Sequence, residues 1–221
     1  MNAIAPRLGQ AVASEVIATA FLLIAVVGSG IAAERLSGGN AGLALLANAL
    51  ATSGALYMLI LSFGAHMNPV VTLSAVFLAG FPKAHVPIYI LAQILGALAG
   101  VAIAHLMFDL PVLQAGSHAR FGPGLWTGEV VATFGLLIAV TRCAPLGLPT
   151  LAGAVSAYIG GAYWFTSSTS FANPAVTVAR SFTDTFAGIR GADAPAFIAA
   201  QAVGLVLGIA FLRWTRRPEQ A

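Results

Sequence analysis

The sequence contains two long stretches without a charged side chain, residues 36–82 and residues 143–179. A soluble domain has about 25% charged residues, which solvate its surface. This chain has only 8% charged and 59% hydrophobic residues. Because ~20 apolar residues suffice for a helix to cross a bilayer, we expect the 221 residues to form one all-α membrane domain with about six spans.

Apolar runs predict where the spans lie. They fall near residues 10–33, 40–62, 86–108, 124–142, 149–166 and 194–213. Two further apolar runs, near 68–79 and 173–183, each open with Asn-Pro and are too short to cross ~30 Å of hydrocarbon at ~1.5 Å per residue. Asparagine is a favoured helix cap and proline a favoured first helical residue, so these runs predict two half-length helices.

Three landmarks occur twice in the same order. "ASEVIATAFLLIAV" at 13–26 matches "TGEVVATFGLLIAV" at 127–140, "MNPVVTL" at 67–73 matches "ANPAVTV" at 172–178, and "AQILGALAG" at 92–100 matches "AQAVGLVLG" at 200–208. We expect two repeats, about 8–108 and 122–214. Each has an odd number of full spans, so the repeats should be inverted, with the two half-helices meeting mid-membrane. Two facing helix N-termini would make a polar passage that repels cations.

The basic residues are dispersed, so the net charge of +3 does not indicate nucleic-acid binding. The positive-inside rule places both termini in the cytoplasm, with a modest excess of basic residues there. The cytoplasmic segments would hold Arg7, Lys83, Arg142, Arg213, Arg216 and Arg217, and the outer segments Arg35, Arg120, Arg180 and Arg190. We expect an integral membrane protein.

The motifs resemble those of the aquaporins, or major intrinsic proteins, over nearly the whole chain. "GAHMNPVVTL" is similar to the first family box, with Val70 where alanine is usual, and "SFANPAVTVARS" to the second. The resemblance implies six helices, two half-helices and a homotetramer with one pore per subunit. It also implies the pore motif residues, which are Asn68, Pro69, Val70, Asn173, Pro174 and Ala175.

The resemblance further implies an outer selectivity filter of four residues. Three of its positions correspond to Gly161, Ser170 and Val176, and the last is commonly arginine in the family. The fourth position is Thr52 or, one turn away on the same helix face, Asn48. Such a ring would be wide and uncharged, without a bulky aromatic residue or a guanidinium.

Arg180 lies one helical turn beyond Val176. We expect it to solvate the outer rim or to pair with Asp184. The alternative is that it leans back into the mouth and substitutes for the missing arginine.

Two glutamates, Glu15 and Glu129, lie inside predicted spans at equivalent repeat positions. A carboxylate within a membrane must be compensated, and we expect both to brace the half-helix loops by accepting their backbone N–H groups. A proton relay is the alternative interpretation. His66 resembles a family residue that lines the cytoplasmic half of the pore, whereas His85 and His105 are expected to pack.

These features predict a passive channel for small neutral solutes such as glycerol and urea, and for water. The resemblance to bacterial members of the family with this altered filter further implies metalloid hydroxides such as arsenite and a bacterial inner membrane. A water-selective aquaporin and an ion-coupled secondary transporter, which also uses inverted repeats, remain alternatives. No cofactor or metal is expected because no residue cluster has ligand spacing. The sequence shows no nucleophile–base arrangement of the kind that enzymes use, so we do not expect an enzyme. The single cysteine, Cys143, cannot form an internal disulfide.

Overall fold

The computed structural model describes residues 7–215, which are helical and contain no β-strand in that range. The elements are α1 (Leu8–Leu36), α2 (Ala41–Phe63), α3 (Pro69–Leu78), α4 (Val86–Met107), α5 (Pro123–Cys143), α6 (Leu148–Phe165), α7 (Pro174–Arg180) and α8 (Ala194–Trp214). Short 3₁₀ turns at Lys83–His85, Ala144–Leu146 and Gly191–Asp193 precede or follow the helices. This is the predicted all-α architecture of long helices with two half-helices.

Five of the long helices, α1, α2, α4, α5 and α8, have the length and apolar composition to cross a membrane. Helix α6 also occupies a predicted span, but its 18 residues reach only about 27 Å. It is less apolar because glycine, tyrosine and tryptophan occupy much of its C-terminal half. Helix α7 ends at Arg180, earlier than the predicted end near 183.

A π-helical segment, Ile24–Gly28, interrupts α1. Such a segment leaves backbone carbonyls without their usual helical partners. The side-chain amide of Asn48 on α2 donates to the Val26 carbonyl at 2.8 Å and to the Ser29 hydroxyl oxygen at 2.8 Å. Asn48 therefore joins α2 to the widened turn of α1.

The helix packing repeats between the two halves of the chain. Helix α1 packs along α4, α5 packs along α8, and α2 packs along α6. Glycines allow the close approach: a Cβ at Gly96 or Gly100 would overlap backbone carbonyls of α1, and one at Gly204 would overlap the backbone of α5. Small residues at such contacts are typical of membrane helix pairs.

Arginines mark two opposite faces of the bundle. On the face where α1 begins, called here the N-terminal face, Arg142 donates to Thr215 and Arg213 donates to the Phe77 carbonyl. On the other face, called here the distal face, Arg35 donates to the Phe108 carbonyl. Arg216 and Arg217, which contributed to the predicted orientation, lie outside the described residues.

Candidate functional site

The two half-helices meet end to end inside the bundle. The side-chain oxygens of Asn68 and Asn173 cap α3 and α7 by accepting backbone N–H groups of the first turn. The side-chain amide of Asn68 donates to the Ala172 carbonyl at 2.8 Å, and that of Asn173 donates to the Met67 carbonyl at 2.8 Å. Each asparagine thus caps its own half-helix and donates a hydrogen bond to the loop that precedes the other half-helix. These two bonds hold the N-termini of the half-helices together.

The residues that follow the asparagines begin the half-helices; they are Pro69, Val70, Pro174 and Ala175. Both prolines occupy the first helical position, where a missing N–H carries no cost. Val70 is buried and packs with Leu137 and Leu205. The valine side chain, at a position where alanine is usual, therefore faces the protein core.

Two buried glutamates hold the loops that lead into the half-helices. Glu15 accepts the N–H groups of His66 at 2.6 Å and Met67 at 2.8 Å, and the amide of Gln93 at 2.8 Å. Met67 has a positive φ of 52°, a conformation that only a well-determined loop sustains. Three hydrogen-bond donors therefore compensate the buried charge of the Glu15 carboxylate.

The second loop repeats the arrangement. Glu129 accepts the N–H groups of Phe171 at 2.8 Å and Ala172 at 2.9 Å, and the amide of Gln201 at 2.6 Å. Both glutamines also donate to a threonine of the adjacent half-helix, at 2.9 Å in each case. Each carboxylate is therefore bound by loop and helix donors, and neither is among the residues that line the cavity.

A cavity of about 370 Å³ passes between the half-helices. It extends from Ala79 and Pro145 near the N-terminal face, past Asn68 and Asn173, to Arg180 near the distal face. Its wall is mostly apolar, with polar groups at the asparagines, at His66, Ser74 and Thr141 on the N-terminal side, and towards the distal face. Such a passage combines an apolar wall with a few hydrogen-bonding groups, as small-molecule sites do.

Thr52 lines this cavity and Asn48 does not. The Asn48 amide is engaged with the π-helical segment of α1. Of the two residues considered for the second-helix filter position, the structure places Thr52 at the passage.

The expectation that Gly161 lines the passage is wrong. Gly161 is exposed, and a Cβ built there would contact the ring of Phe165, which is 59% exposed on the outside of the bundle. The α6 face towards the cavity consists of Leu151, Val155, Ile159 and Tyr163, each four residues from the next. This spacing places them on one face of the helix and would have identified Tyr163 from the sequence.

Tyr163 brings an aromatic ring to the cavity wall. It is 4% exposed, and its hydroxyl donates to the Thr52 hydroxyl oxygen at 3.3 Å. Ser170 and Val176 also line the cavity. The Ser170 hydroxyl is buried without a hydrogen-bond partner among the described residues.

Arg180 does not pair with Asp184, contrary to the expectation from sequence. Asp184 accepts the hydroxyl and the N–H of Ser117, and these two hydrogen bonds lower the pKa of the Asp184 carboxyl. Arg180 is instead buried at the cavity wall, stacked on Phe171. The wall therefore includes an aromatic residue, Tyr163, and a charged one, Arg180. The prediction of a ring without an aromatic residue or a guanidinium is wrong.

Histidines lie at both ends of the bundle. His66 lines the cavity, contacts the Thr72 hydroxyl at 3.0 Å and packs against the rings of Phe81 and Tyr89. His85 packs edge-on against Phe81, and His105 contacts the Thr183 hydroxyl at 2.7 Å. Within residues 7–215, no group of three or more His, Cys, Asp or Glu side chains is placed to hold a metal ion.

Membrane-spanning helices, two capped half-helices and a passage between them define a channel of the inverted-repeat class. The chain belongs to the major intrinsic protein family: residues 4–145 match that family's sequence profile. It is 44% identical to aquaglyceroporin AqpS of Rhizobium meliloti over 93% of this chain and 89% of the relative.

More distant relatives agree with this assignment. The chain is 29% identical to a probable glycerol uptake facilitator protein of Thermotoga maritima, over 73% of this chain and 76% of the relative. The X-ray structure of the aquaglyceroporin from Plasmodium falciparum has the same fold, with a TM-score of 0.69 at 19% identity, covering 97% of this chain and 99% of that one. The predicted family and fold are thereby confirmed.

Proposed function

We propose that this integral membrane protein passively conducts small neutral solutes, including glycerol and urea, together with water. The observation that carries the proposal is the composition of the passage. Its wall is mostly apolar, its polar groups include the asparagine amides, His66 and the groups near Arg180, and no carboxylate lines it within the described residues. A solute can therefore form hydrogen bonds with these groups while its carbon atoms contact the apolar wall.

The bracing of both glutamates argues against proton-coupled transport. Proton-coupled transporters commonly use an intramembrane acid that binds and releases the proton. Glu15 and Glu129 each accept three hydrogen bonds from loop and glutamine donors. We assign them to holding the half-helix loops, as their positions in the two halves suggest.

The names of the relatives support the solute class. One is called an aquaglyceroporin and another a probable glycerol uptake facilitator protein. We extend the proposal to neutral metalloid hydroxides such as arsenite, which match glycerol in carrying several hydroxyl groups on a compact frame.

A water-selective channel is the second candidate. The observation in its favour is that Tyr163 and Arg180 line the cavity where the sequence predicted a wide ring. A narrow constriction would admit water and exclude glycerol, so the two candidates differ in the ratio of glycerol to water permeability.

Several further assignments belong to the same proposal. We assign the chain to a homotetramer in a bacterial inner membrane, with the N-terminal face in the cytoplasm and the distal face outside. We also propose that the chain forms a single channel domain made of two repeats, about 8–108 and 122–214. The large apolar side chains exposed on the helices, such as Leu50, Leu95 and Val206, suit contact with lipid or with neighbouring subunits.

The test compares solutes on one preparation of protein in lipid vesicles. Water permeability is measured by stopped-flow light scattering, and glycerol, urea and arsenite uptake are measured in parallel. The proposal predicts that glycerol and urea enter faster than into protein-free vesicles. Rapid water flow with glycerol and urea at the protein-free rate would instead establish the water-selective candidate.

A further inference from the structure

The π-helical turn of α1 lies against the wall of the passage. Val26, inside that turn, and Leu22, just before it, both line the cavity. The backbone N–H of Ser29 is shared between the carbonyls of Ala25 and Val26, so the regular helical hydrogen bonding is broken at this point. Such turns are rare and frequently mark functional sites. The corresponding helix of the second half of the chain, α5, is α-helical over its whole length, so the architecture of the two halves does not require the turn.

A single side chain holds this turn from outside α1. Asn48 on α2 is 2% exposed, and its amide nitrogen donates to the Val26 carbonyl and to the Ser29 hydroxyl oxygen, each at 2.8 Å. The Ser29 hydroxyl donates in turn to the Ala25 carbonyl, which leaves its oxygen free to accept from Asn48. The buried amide therefore joins α2 to the backbone of the residue of the π-helical turn that lines the passage.

The same face of α2 carries a polar residue of the passage wall. Thr52 follows Asn48 by one helical turn and lies on the same side of α2. Thr52 lines the cavity, and its hydroxyl oxygen accepts the hydroxyl of Tyr163 on α6. Val26 and Tyr163 also belong to one buried apolar cluster. Asn48 does not itself line the cavity, so any effect that it has on a solute must act through these neighbours.

We propose that Asn48 is a positioning residue that sets the size limit of the passage at the level of Val26 and Thr52. Its amide fixes the widened turn of α1 against α2, which keeps the Val26 side chain close to Thr52. The separation between these two wall residues limits the width that a solute can use. The inference rests on the proposed function, because it names the residue that decides how large a neutral solute the channel passes.

Linear polyols of increasing length measure this size limit. Glycerol and erythritol carry the same hydroxylated carbon unit on a shorter and a longer chain, so the ratio of their uptake reports the width of the passage and not the amount of active protein. Uptake into vesicles containing the full-length protein is compared for the wild type, Asn48→Leu and Val26→Ala. Leucine keeps the branched shape of asparagine but has no N–H donor.

The ratio of erythritol to glycerol uptake should rise in Asn48→Leu, because α1 loses its connection to α2. We expect a rise of about threefold to tenfold, the change that the net free energy of one hydrogen bond makes to a barrier. Val26→Ala removes atoms from the wall and should raise the same ratio. The double variant that combines the two changes should show little further rise, because residues that act through one contact are not additive.

Two further variants separate positioning from stability. Asn40→Leu is the matched control, since Asn40 caps the same helix by accepting the Leu43 N–H; losing this cap lowers stability and should leave the polyol ratio unchanged. Ser29→Ala removes one of the two acceptors of the Asn48 amide, at a residue that does not line the cavity. It should raise the ratio by less than Asn48→Leu does.

Two results would overturn the inference while leaving the proposed function intact. One is an unchanged polyol ratio in Asn48→Leu with all fluxes lowered in proportion, which would mean that Asn48 only stabilises the fold. If Asn48→Leu cannot be purified, an unchanged ratio in Ser29→Ala has the same meaning. The other is a double variant whose ratio changes by the full product of the two single changes, which would mean that Asn48 does not act through Val26.

A failure of the proposed function would look different. Wild-type vesicles would then take up neither glycerol nor urea faster than protein-free vesicles, and this inference would fail with it.

Discussion

The side-chain amide of Asn68 donates to the carbonyl of Ala172, 2.8 Å away on the opposite half-helix loop. Asn173 makes the equivalent bond to Met67. The two loops beside the passage therefore each depend on the other for a hydrogen bond. Changes at this junction should therefore affect folding and conduction together.

Replacing Asn173 with aspartate tests this mutual dependence. The carboxylate still caps α7, but it cannot donate to the Met67 carbonyl and places two acceptors against each other. Leaving such a buried group unsatisfied costs about 1–3 kcal/mol. We expect a lower unfolding temperature in detergent and reduced flux of water and glycerol alike.

The matched control is Asn40→Asp. Asn40 also caps a helix, by accepting the Leu43 N–H, but it is exposed and donates to no second loop. Its carboxylate should be tolerated at a helix N-terminus. Equal loss of stability in the two variants would show that the junction bond has no special role.

Glu129→Gln tests the bracing role of the buried glutamates. The substitution keeps the shape but removes the charge and replaces one acceptor oxygen with an NH2 donor, which would oppose the N–H group of Phe171 or of Ala172. Charge-assisted hydrogen bonds contribute about 1.5–3 kcal/mol. We expect lower thermal stability and a similar reduction in flux for every solute, with unchanged selectivity. The exposed Glu34→Gln is the control. A stable Glu129→Gln protein that lost only pH-dependent transport would favour the proton-relay interpretation.

Gly100→Ala tests the close packing of α1 against α4. A Cβ at this position would overlap the carbonyl oxygen of Ala20, and overpacking of this kind costs about 1–3 kcal/mol. Thermal unfolding in detergent should show a clear loss of stability. Gly54→Ala is the control, because nothing lies within 4 Å of a Cβ at Gly54; that variant should be neutral or slightly stabilised.

Val176→Arg tests whether Val176 lines the constriction. The added side chain would occupy the passage beside Arg180, and water is small enough to pass where glycerol is obstructed. We expect the ratio of glycerol to water permeability to fall about tenfold, which corresponds to ~1.4 kcal/mol of added barrier. Val176→Ala, which removes bulk without charge, should preserve or raise glycerol flux. An unchanged ratio in Val176→Arg would place Val176 away from the solute path.

The sequence predicted the fold well because its main signals are local. Apolar runs located the long helices to within a few residues, and the Asn-Pro pairs located the starts of α3 and α7. The predicted end of α7 was less accurate, since the chain turns at Ser181 through hydrogen bonds to the preceding turn.

The site was predicted less completely, because two residues depend on distant contacts. Gly161 was assigned from the family pattern by its distance from Asn173 in the sequence, which assumes a fixed loop length and helix end. The loop at residues 166–172 contains left-handed residues at Thr169, Ser170 and Ala172, and α6 turns Tyr163 to the cavity instead. The position of Arg180 follows from its stacking on Phe171 and its bond to Ala187, neither of which is visible in the spacing of the motif.

The most direct test of the central claim measures glycerol uptake into vesicles containing the purified protein at a fixed glycerol gradient, with and without an imposed proton gradient. Passive conduction predicts a rate that rises in proportion to the glycerol gradient, without saturation over a wide range, and that does not change when the proton gradient or a membrane potential is applied. Glycerol uptake that accelerates with the proton gradient, or that saturates at low concentration, would contradict a passive channel and indicate coupled transport.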